Sequence, residues 1–181
     1  MEATSSFSFE LSEDHQAIRA AIREFAENEI KPHVAELDET QTFPKEIFTK
    51  LGNLGFLGVV IPTEYNGSGL GYVEYAIIVE EVARVCPSIA LGVAAHNGLC
   101  MNHIYRFGSD KLRDMYVRKL ATGEELGGWG LTEPNAGSDA GGTQTTARRE
   151  GDYYILTGSK NFITHGNVGN VAVVMAMTDA S

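Results

Sequence analysis

The sequence predicts an α+β chain, in which an all-α N-terminal helical domain is followed by the beginning of an antiparallel β domain. Two observations carry this reading. Between residues 12 and 122 apolar side chains recur at helical spacing, and from about residue 126 the period switches to two. A third observation divides the helical part, because residues 55–71 hold five glycines, Pro62 and Asn66 and sustain no period. The expected organisation is therefore a helical domain over 1–125 and the first part of a β domain over 126–181.

The elements follow in order. Ser12 is placed to cap a helix whose first turn carries Glu13 and Asp14 and whose apolar stripe is Ile18, Ile22 and Phe25. Pro32 disfavours helical geometry at Lys31 and ends or kinks that helix. Pro44 suits the first turn of a short helix with Ile47, Phe48 and Leu51, closed by Gly52. A long helix is expected from about Tyr72 to Val85, with Glu80 and Glu81 on its polar side, stopping before Pro87. Residues 88–107 are apolar nearly all round, the mark of a buried helix. Ser109 caps a further helix, with Gly123 behind it. Strands are expected at 126–132, 143–149, 153–157, 160–164 and 171–177, with Gly158-Ser159 as a two-residue hairpin turn.

Composition narrows the function classes. The 181 residues carry 14 Lys and Arg against 24 Asp and Glu, a formal charge of −10. Nucleic-acid phosphates reward clustered cations, so a nucleic-acid partner is disfavoured. The stretch 89–95 is too short to span a bilayer, and residues 1–10 hold two acids and no Lys or Arg, unlike a secretory or mitochondrial presequence. Asn66-Gly67-Ser68 is a formal glycosylation sequon that has meaning only in a secreted chain. A cytoplasmic protein without membrane attachment is the expectation. Cys86 and Cys100 form no C-x-x-C and read as reduced core cysteines, although one disulfide is open to them. His15, His33, His96 and His103 show no ligand spacing, so no metal site is expected.

Two stretches carry chemistry. The first, Leu131-Thr132-Glu133-Pro134-Asn135-Ala136-Gly137-Ser138-Asp139, leaves a strand, turns at Pro134 and offers Gly137 where a backbone approaches another group. Its hydroxyls and successive amides suit a carbonyl-rich ring or a pyrophosphate; a polar turn between strands is the alternative. The order Gly137-Ser138-Asp139-Ala140-Gly141 is not the G-x-S-x-G elbow of a serine hydrolase. The second, Gly158-Ser159-Lys160-Asn161-Phe162-Ile163-Thr164-His165-Gly166, reads either as a ligand-facing arm or as a half-buried strand with Phe162 in the core. No G-x-G-x-x-G follows a strand, which disfavours a Rossmann-type nicotinamide enzyme.

Together, T-E-P-x-A-G-S-D followed about 20 residues later by G-x-K-x-F-I-T-x-G resembles the acyl-CoA dehydrogenase family, nearest to its short-chain and isovaleryl branches. Glu27-Asn28-Glu29-Ile30-Lys31-Pro32, Leu54-Gly55-Phe56-Leu57-Gly58, Pro62-Thr63-Glu64-Tyr65-Asn66-Gly67, Glu80-Glu81-Val82-Ala83-Arg84 and Phe107-Gly108-Ser109 extend the resemblance in the same order. Phe162 stands where many relatives have Trp, and His165 where the family usually has Asn.

The resemblance implies a helical first domain, a β middle domain and a second helical domain, of which the last is absent from these residues. It implies FAD as cofactor, with Trp129, Gly130, Leu131, Thr132, Glu133, Pro134, Asn135, Ala136, Gly137 and Ser138 lining it from one side. Phe162, Ile163 and Thr164 would pack on the other part of the ring, and Ser138 would also lie near the pantetheine arm of CoA. His96 is placed where relatives line the acyl end of the pocket, with a satisfied core histidine as the alternative. The implied reaction is α,β-desaturation of an acyl-CoA thioester, with an electron-transfer flavoprotein as acceptor and a homo-oligomeric enzyme. No catalytic residue is expected within the chain, because the family's base glutamate belongs to the last helical domain and so falls beyond Ser181. Residues 1–181 alone are expected to be inactive. Two rivals remain. One is a flavin-dependent oxidase or monooxygenase of the same fold, and the other a non-catalytic partner subunit.

Overall fold

In the computed structural model of the chain, which describes residues 10–178, everything up to Ala121 is helix or loop and strands begin at Gly127. Helix α1 (Glu13–Phe25) starts at Ser12, whose hydroxyl accepts from the His15 N–H at 3.2 Å while His15 Nδ1 accepts from the Ser12 N–H. The chain does not stop at Pro32. It passes through a π-helical turn (Ala26–Ile30) and a 3-10 turn (Lys31–His33) into α2 (Val34–Thr40), so the proline kinks the helix. Gln41, with φ of 53°, ends it.

Helix α3 (Lys45–Asn53) follows Pro44 as expected, but Gly52 is inside it, and Gly55 at φ +79° makes the turn out. Gly52 serves a close approach instead: a Cβ there would stand 2.1 Å from the Thr122 carbonyl oxygen. The loop that follows is tightly tied. Ser68 N–H donates to the Gly58 carbonyl, Leu70 N–H to Val59 and Gly69 N–H to Ile61. Asn97, fully buried, accepts from the Val59 N–H and donates to the Phe56 and Val93 carbonyls, bolting this loop to the central helix.

Helix α4 (Tyr72–Val85) lies along α1. Glu81 is not on a polar face: it is 2% exposed, because Arg23 grips it with two hydrogen bonds and Arg84 with a third. Those guanidinium hydrogen bonds, Arg23's first, hold its carboxyl below the usual carboxylate range. The expected buried helix is α5 (Pro87–Ala94) continuing through a π-helical segment (Ala95–Met101) into α6 (Asn102–Phe107). Ser109 then caps α7 (Asp110–Leu112), which runs on through Arg113–Val117 into α8 (Arg118–Ala121). One apolar core joins α1, α3, α4 and α5 through Ile22, Phe48, Leu51, Ile78 and Val93. A second, around Met101, Ile104, Val117 and Leu120, lies under the β segment.

Strands β1 (Gly127–Gly130), β2 (Thr146–Glu150), β3 (Tyr153–Thr157) and β4 (Val171–Val174) are the regular ones. The antiparallel expectation holds for β2 and β3, with Thr146 opposite Thr157 and Glu150 opposite Tyr153. β1 and β4 instead pair in parallel, Gly127 beside Val171, because the forty residues 131–170 between them return the strand to the same end. The two-residue hairpin turn is Gly151-Asp152, not Gly158-Ser159. Gly158, at φ +152°, lets the chain leave β3 hard against Thr145, whose Oγ1 would be 2.4 Å from a Cβ. Residues 160–164 form no strand.

Candidate functional site

β1 delivers the first motif. Gly127 lets it lie directly on the central helix, where a Cβ would meet Cys100 Sγ at 2.5 Å, and Gly128 lets the 163–164 arm approach, where a Cβ would stand 3.0 Å from the Thr164 carbonyl oxygen. The Cys100 thiol is pushed up to about 11 by burial, so it stays protonated and serves as packing; Cys86 and Cys100 are both free.

Beyond Gly130 the chain turns at Glu133, where Glu133 and Ala136 exchange backbone hydrogen bonds of 2.9 and 3.2 Å around Pro134 and Asn135. The buried Glu133 carboxylate organises what surrounds it. It accepts from the Gln144 N–H at 2.7 Å, the Thr145 N–H at 2.9 Å and Lys160 Nζ at 2.7 Å. The Lys160 ammonium, foremost, pulls its pKa down to about 2. A carboxylate so engaged is a weak base, which removes Glu133 as a proton acceptor in catalysis and makes it the brace of the turn.

The same lysine joins the second motif to the first. Lys160 Nζ also donates to the Leu131 carbonyl at 3.0 Å, and the Asn161 N–H donates to the Thr132 carbonyl at 2.8 Å. The Lys160 ammonium and the Asn161 N–H tie the start of the arm to the 131–133 turn, the Ile163 carbonyl accepts from the Gly166 N–H in a turn, and the expected strand over 160–164 is absent. Phe162 then adopts φ +57° and stands 92% exposed, so the reading that places it in the core is overturned. A left-handed aromatic residue held out from the surface signals a backbone shaped for something other than its own packing. Ile163 and Thr164, half-buried, return toward β1.

Thr132 is half-buried beside this arm, while Pro134, Asn135, Gly137 and Ser138 are exposed and Ala136 is buried beneath them. Gly137 has nothing within 4 Å of where a Cβ would be. Trp129 is half-buried with its ring against His103 at 5.9 Å, and its Nε1–H has no partner among the described residues. The two motifs are thus tied together at Leu131, Thr132 and Glu133, with the exposed Pro134, Asn135, Gly137 and Ser138 on one stretch and the exposed Phe162 on the other.

His96 is not among these exposed residues. It is completely buried, Nε2–H donating to the Leu120 carbonyl at 2.9 Å and Nδ1 accepting from the Gly127 N–H at 3.1 Å. Burial lowers its pKa to about 4, so it is neutral, and neither ring nitrogen is left for a ligand. This is the satisfied core histidine, not an acyl-pocket residue. His165, which motif reading left without a role, is also buried, and its Nδ1–H donates to the Gly127 carbonyl at 3.0 Å. Only the departure from the family's usual Asn drew attention to it.

Comparison with known proteins agrees with the motifs. Residues 12–124 match the acyl-CoA dehydrogenase N-terminal domain, and residues 128–181 match the acyl-CoA dehydrogenase middle domain. A short-chain specific acyl-CoA dehydrogenase of Clostridium acetobutylicum is 45% identical over 94% of this chain and 45% of its own. A mitochondrial isovaleryl-CoA dehydrogenase of Bos taurus is 38% identical over 94% of this chain and 41% of its own. The crystal structure of a glutaryl-CoA dehydrogenase from Mycobacterium smegmatis in complex with FADH2 superimposes with a TM-score of 0.90 and 37% identity, over 93% of this chain and 44% of that one. The chain thus spans less than half the length of these relatives. With both motifs laced together and both domain matches in sequence order, the chain belongs to the acyl-CoA dehydrogenase family.

Proposed function

We propose that this chain forms the N-terminal part of an FAD-dependent acyl-CoA dehydrogenase and supplies one wall of its flavin site. The observation that carries the reading is Phe162: 92% exposed at φ +57°, on an arm locked to the 131–133 turn by Lys160 and Asn161. Exposing an aromatic ring and holding its backbone in the left-handed region both cost free energy, which a planar ring stacked on Phe162 offsets. The residues of the turn and the arm fit FAD. Trp129, Gly130, Leu131 and Thr132 lead to the exposed stretch, where Glu133 braces a turn whose Pro134, Asn135, Ala136, Gly137 and Ser138 border the ring and phosphates. The unpartnered Trp129 Nε1–H and the Thr132 and Thr164 hydroxyls are donors for the carbonyl and nitrogen edge of the ring. Phe162 and Ile163 supply the apolar contact.

FAD, when bound, supplies the two-electron acceptor for desaturation of an acyl-CoA thioester. This chain's residues orient the ring, exclude water from one of its sides and place Ser138 beside the CoA arm. The α-proton is removed by a carboxylate beyond Ser181, in keeping with the occupation of Glu133 by three donors. The reading includes a division into 1–125 and 126–181 with a further helical domain, and a cytoplasmic homo-oligomer reoxidised by an electron-transfer flavoprotein. It also includes a short or branched acyl substrate, as the names of the relatives indicate. Among the described residues no helix is long and apolar enough to cross a membrane.

Thr164→Val in the full reading frame tests this reading. The variant is expected to retain less FAD, or to be reduced by acyl-CoA about tenfold more slowly, as fits loss of one hydrogen bond to the reacting group. Unchanged flavin content together with an unchanged reduction rate would remove Thr164 from the site.

A further inference from the structure

The arm that carries Phe162 is fastened to β1 at two points. At its start, Asn161 and Lys160 bind the Thr132 and Leu131 carbonyls. At its end, His165 Nδ1–H binds the Gly127 carbonyl, at the first residue of β1. The other backbone group of Gly127 is also taken by a histidine, since its N–H donates to His96 Nδ1. His96 is anchored in turn by donating from Nε2 to Leu120, so the helical domain, β1 and the arm meet through two imidazoles whose centroids are 6.4 Å apart. Each ring has one neutral tautomer consistent with its bonds, Nε2–H for His96 and Nδ1–H for His165.

The surroundings of His165 are made for a ring. It stands edge-on to Phe48 at 5.2 Å and to Phe43 at 5.4 Å, and Gly92 leaves the space: a Cβ there would be 3.0 Å from His165 Nε2. That Nε2 is buried with no partner among the described residues, a cost the fold accepts while keeping the Nδ1 bond. His165 also takes φ +64°, and its own carbonyl accepts from the Val168 and Gly169 N–H groups. Packing alone would be met by a phenylalanine; the bond to Gly127 is what requires a donor at the first ring position.

We propose that His165 is a positioning residue for the flavin-facing arm: through its bond to the Gly127 carbonyl, held from the other side by His96, it sets where Phe162 and Thr164 stand along β1. This rests on the reading of 162–164 as facing FAD.

The test separates the donor from the ring. In the full-length protein, His165→Phe keeps the ring among Phe43 and Phe48 and removes the donor. His165→Asn removes the ring and keeps a donor, because its Nδ2 occupies the same branch of the side chain as imidazole Nδ1. FAD dissociation constant and flavin absorbance are measured beside Tm, with Phe162→Ala as a control for the flavin-facing reading. The expected result is a crossed pattern. His165→Phe weakens FAD binding about fivefold to tenfold and shifts the flavin bands with little change in Tm, as one lost hydrogen bond allows. His165→Asn lowers Tm and leaves FAD affinity and the bands near wild type. If both variants bind FAD like the wild type while Phe162→Ala does not, the positioning role is overturned and the flavin face stands. If His165→Asn loses FAD as His165→Phe does, the side chain acts by packing and the proposal fails. If Phe162→Ala is itself without effect, the flavin-facing reading falls and this inference with it. Should His165→Phe fail to fold, His165→Leu makes the same comparison.

Discussion

The helical region and the β segment are built to different degrees of closure. In residues 13–121 the large apolar side chains are mostly inward, and even the buried polar groups, Glu81, His96 and Asn97, are met by named partners. In the β2–β3 hairpin the four consecutive residues Tyr153, Tyr154, Ile155 and Leu156 are all exposed, although alternate residues point to opposite sides. One face of a ribbon left open is ordinary; two apolar faces left open call for cover on both. The hairpin is attached to the rest through Met177, which exchanges backbone bonds with Thr145 and Ala147. The helical region buries most of its large apolar side chains, with exceptions such as Leu91 and Phe107, while the β segment leaves a whole run of them and Phe162 exposed.

The largest effect that would break this comparison is a core truncation. Leu51→Ala, at a fully buried site, is expected to cost about 2–5 kcal/mol in urea unfolding. Leu156→Ala on the open hairpin is expected to stay within about 0.5 kcal/mol. Equal costs at the two sites would mean that the hairpin is covered as well as the core.

A smaller effect sharpens it by pH. His96 is held neutral, with a pKa of about 4 against an ordinary 6.5, so the unfolded chain binds more protons between those values. Stability from this site is complete above pH 6.5 and declines as pH falls toward 4, by on the order of 1–3 kcal/mol. Glu133 acts in the same direction at lower pH: its contribution is full above 4.5 and is lost as pH falls toward about 2. Urea unfolding followed by circular dichroism at a series of pH values should show stability falling between pH 6.5 and 4, and falling further as pH drops from 4.5 toward 2. A flat stability between pH 6.5 and 4 would contradict the His96 assignment.

The parts of the fold that follow local rules were legible in the residues. Ser12 and Ser109 cap helices as their side chains dictate, and Tyr72–Val85 runs the length its apolar period indicates. What was not legible depends on partners distant in sequence. Glu81 looks like a surface acid until Arg23, 58 residues away, is brought against it. Gly158-Ser159 and Gly151-Asp152 are turn dipeptides of similar chemistry, and only the β2–β3 register chooses between them. The motif residues marked a candidate site because their types are restrictive, but not its construction, in which the Lys160 ammonium ties the arm to the Leu131 carbonyl and the Glu133 carboxylate. His96 and His165 could not be assigned from spacing, since what they bind is the backbone of a glycine.

The central claim is that the 131–138 turn and the 162–164 arm are one flavin-facing surface. The most direct measurement is a crystal structure of the protein in its full reading frame with FAD bound. The account predicts the isoalloxazine against Phe162, with the Thr132 and Thr164 hydroxyls within about 2.7–3.2 Å of its polar edge and Ser138 toward the phosphates. A flavin seated elsewhere, with Phe162 still facing solvent, would contradict it.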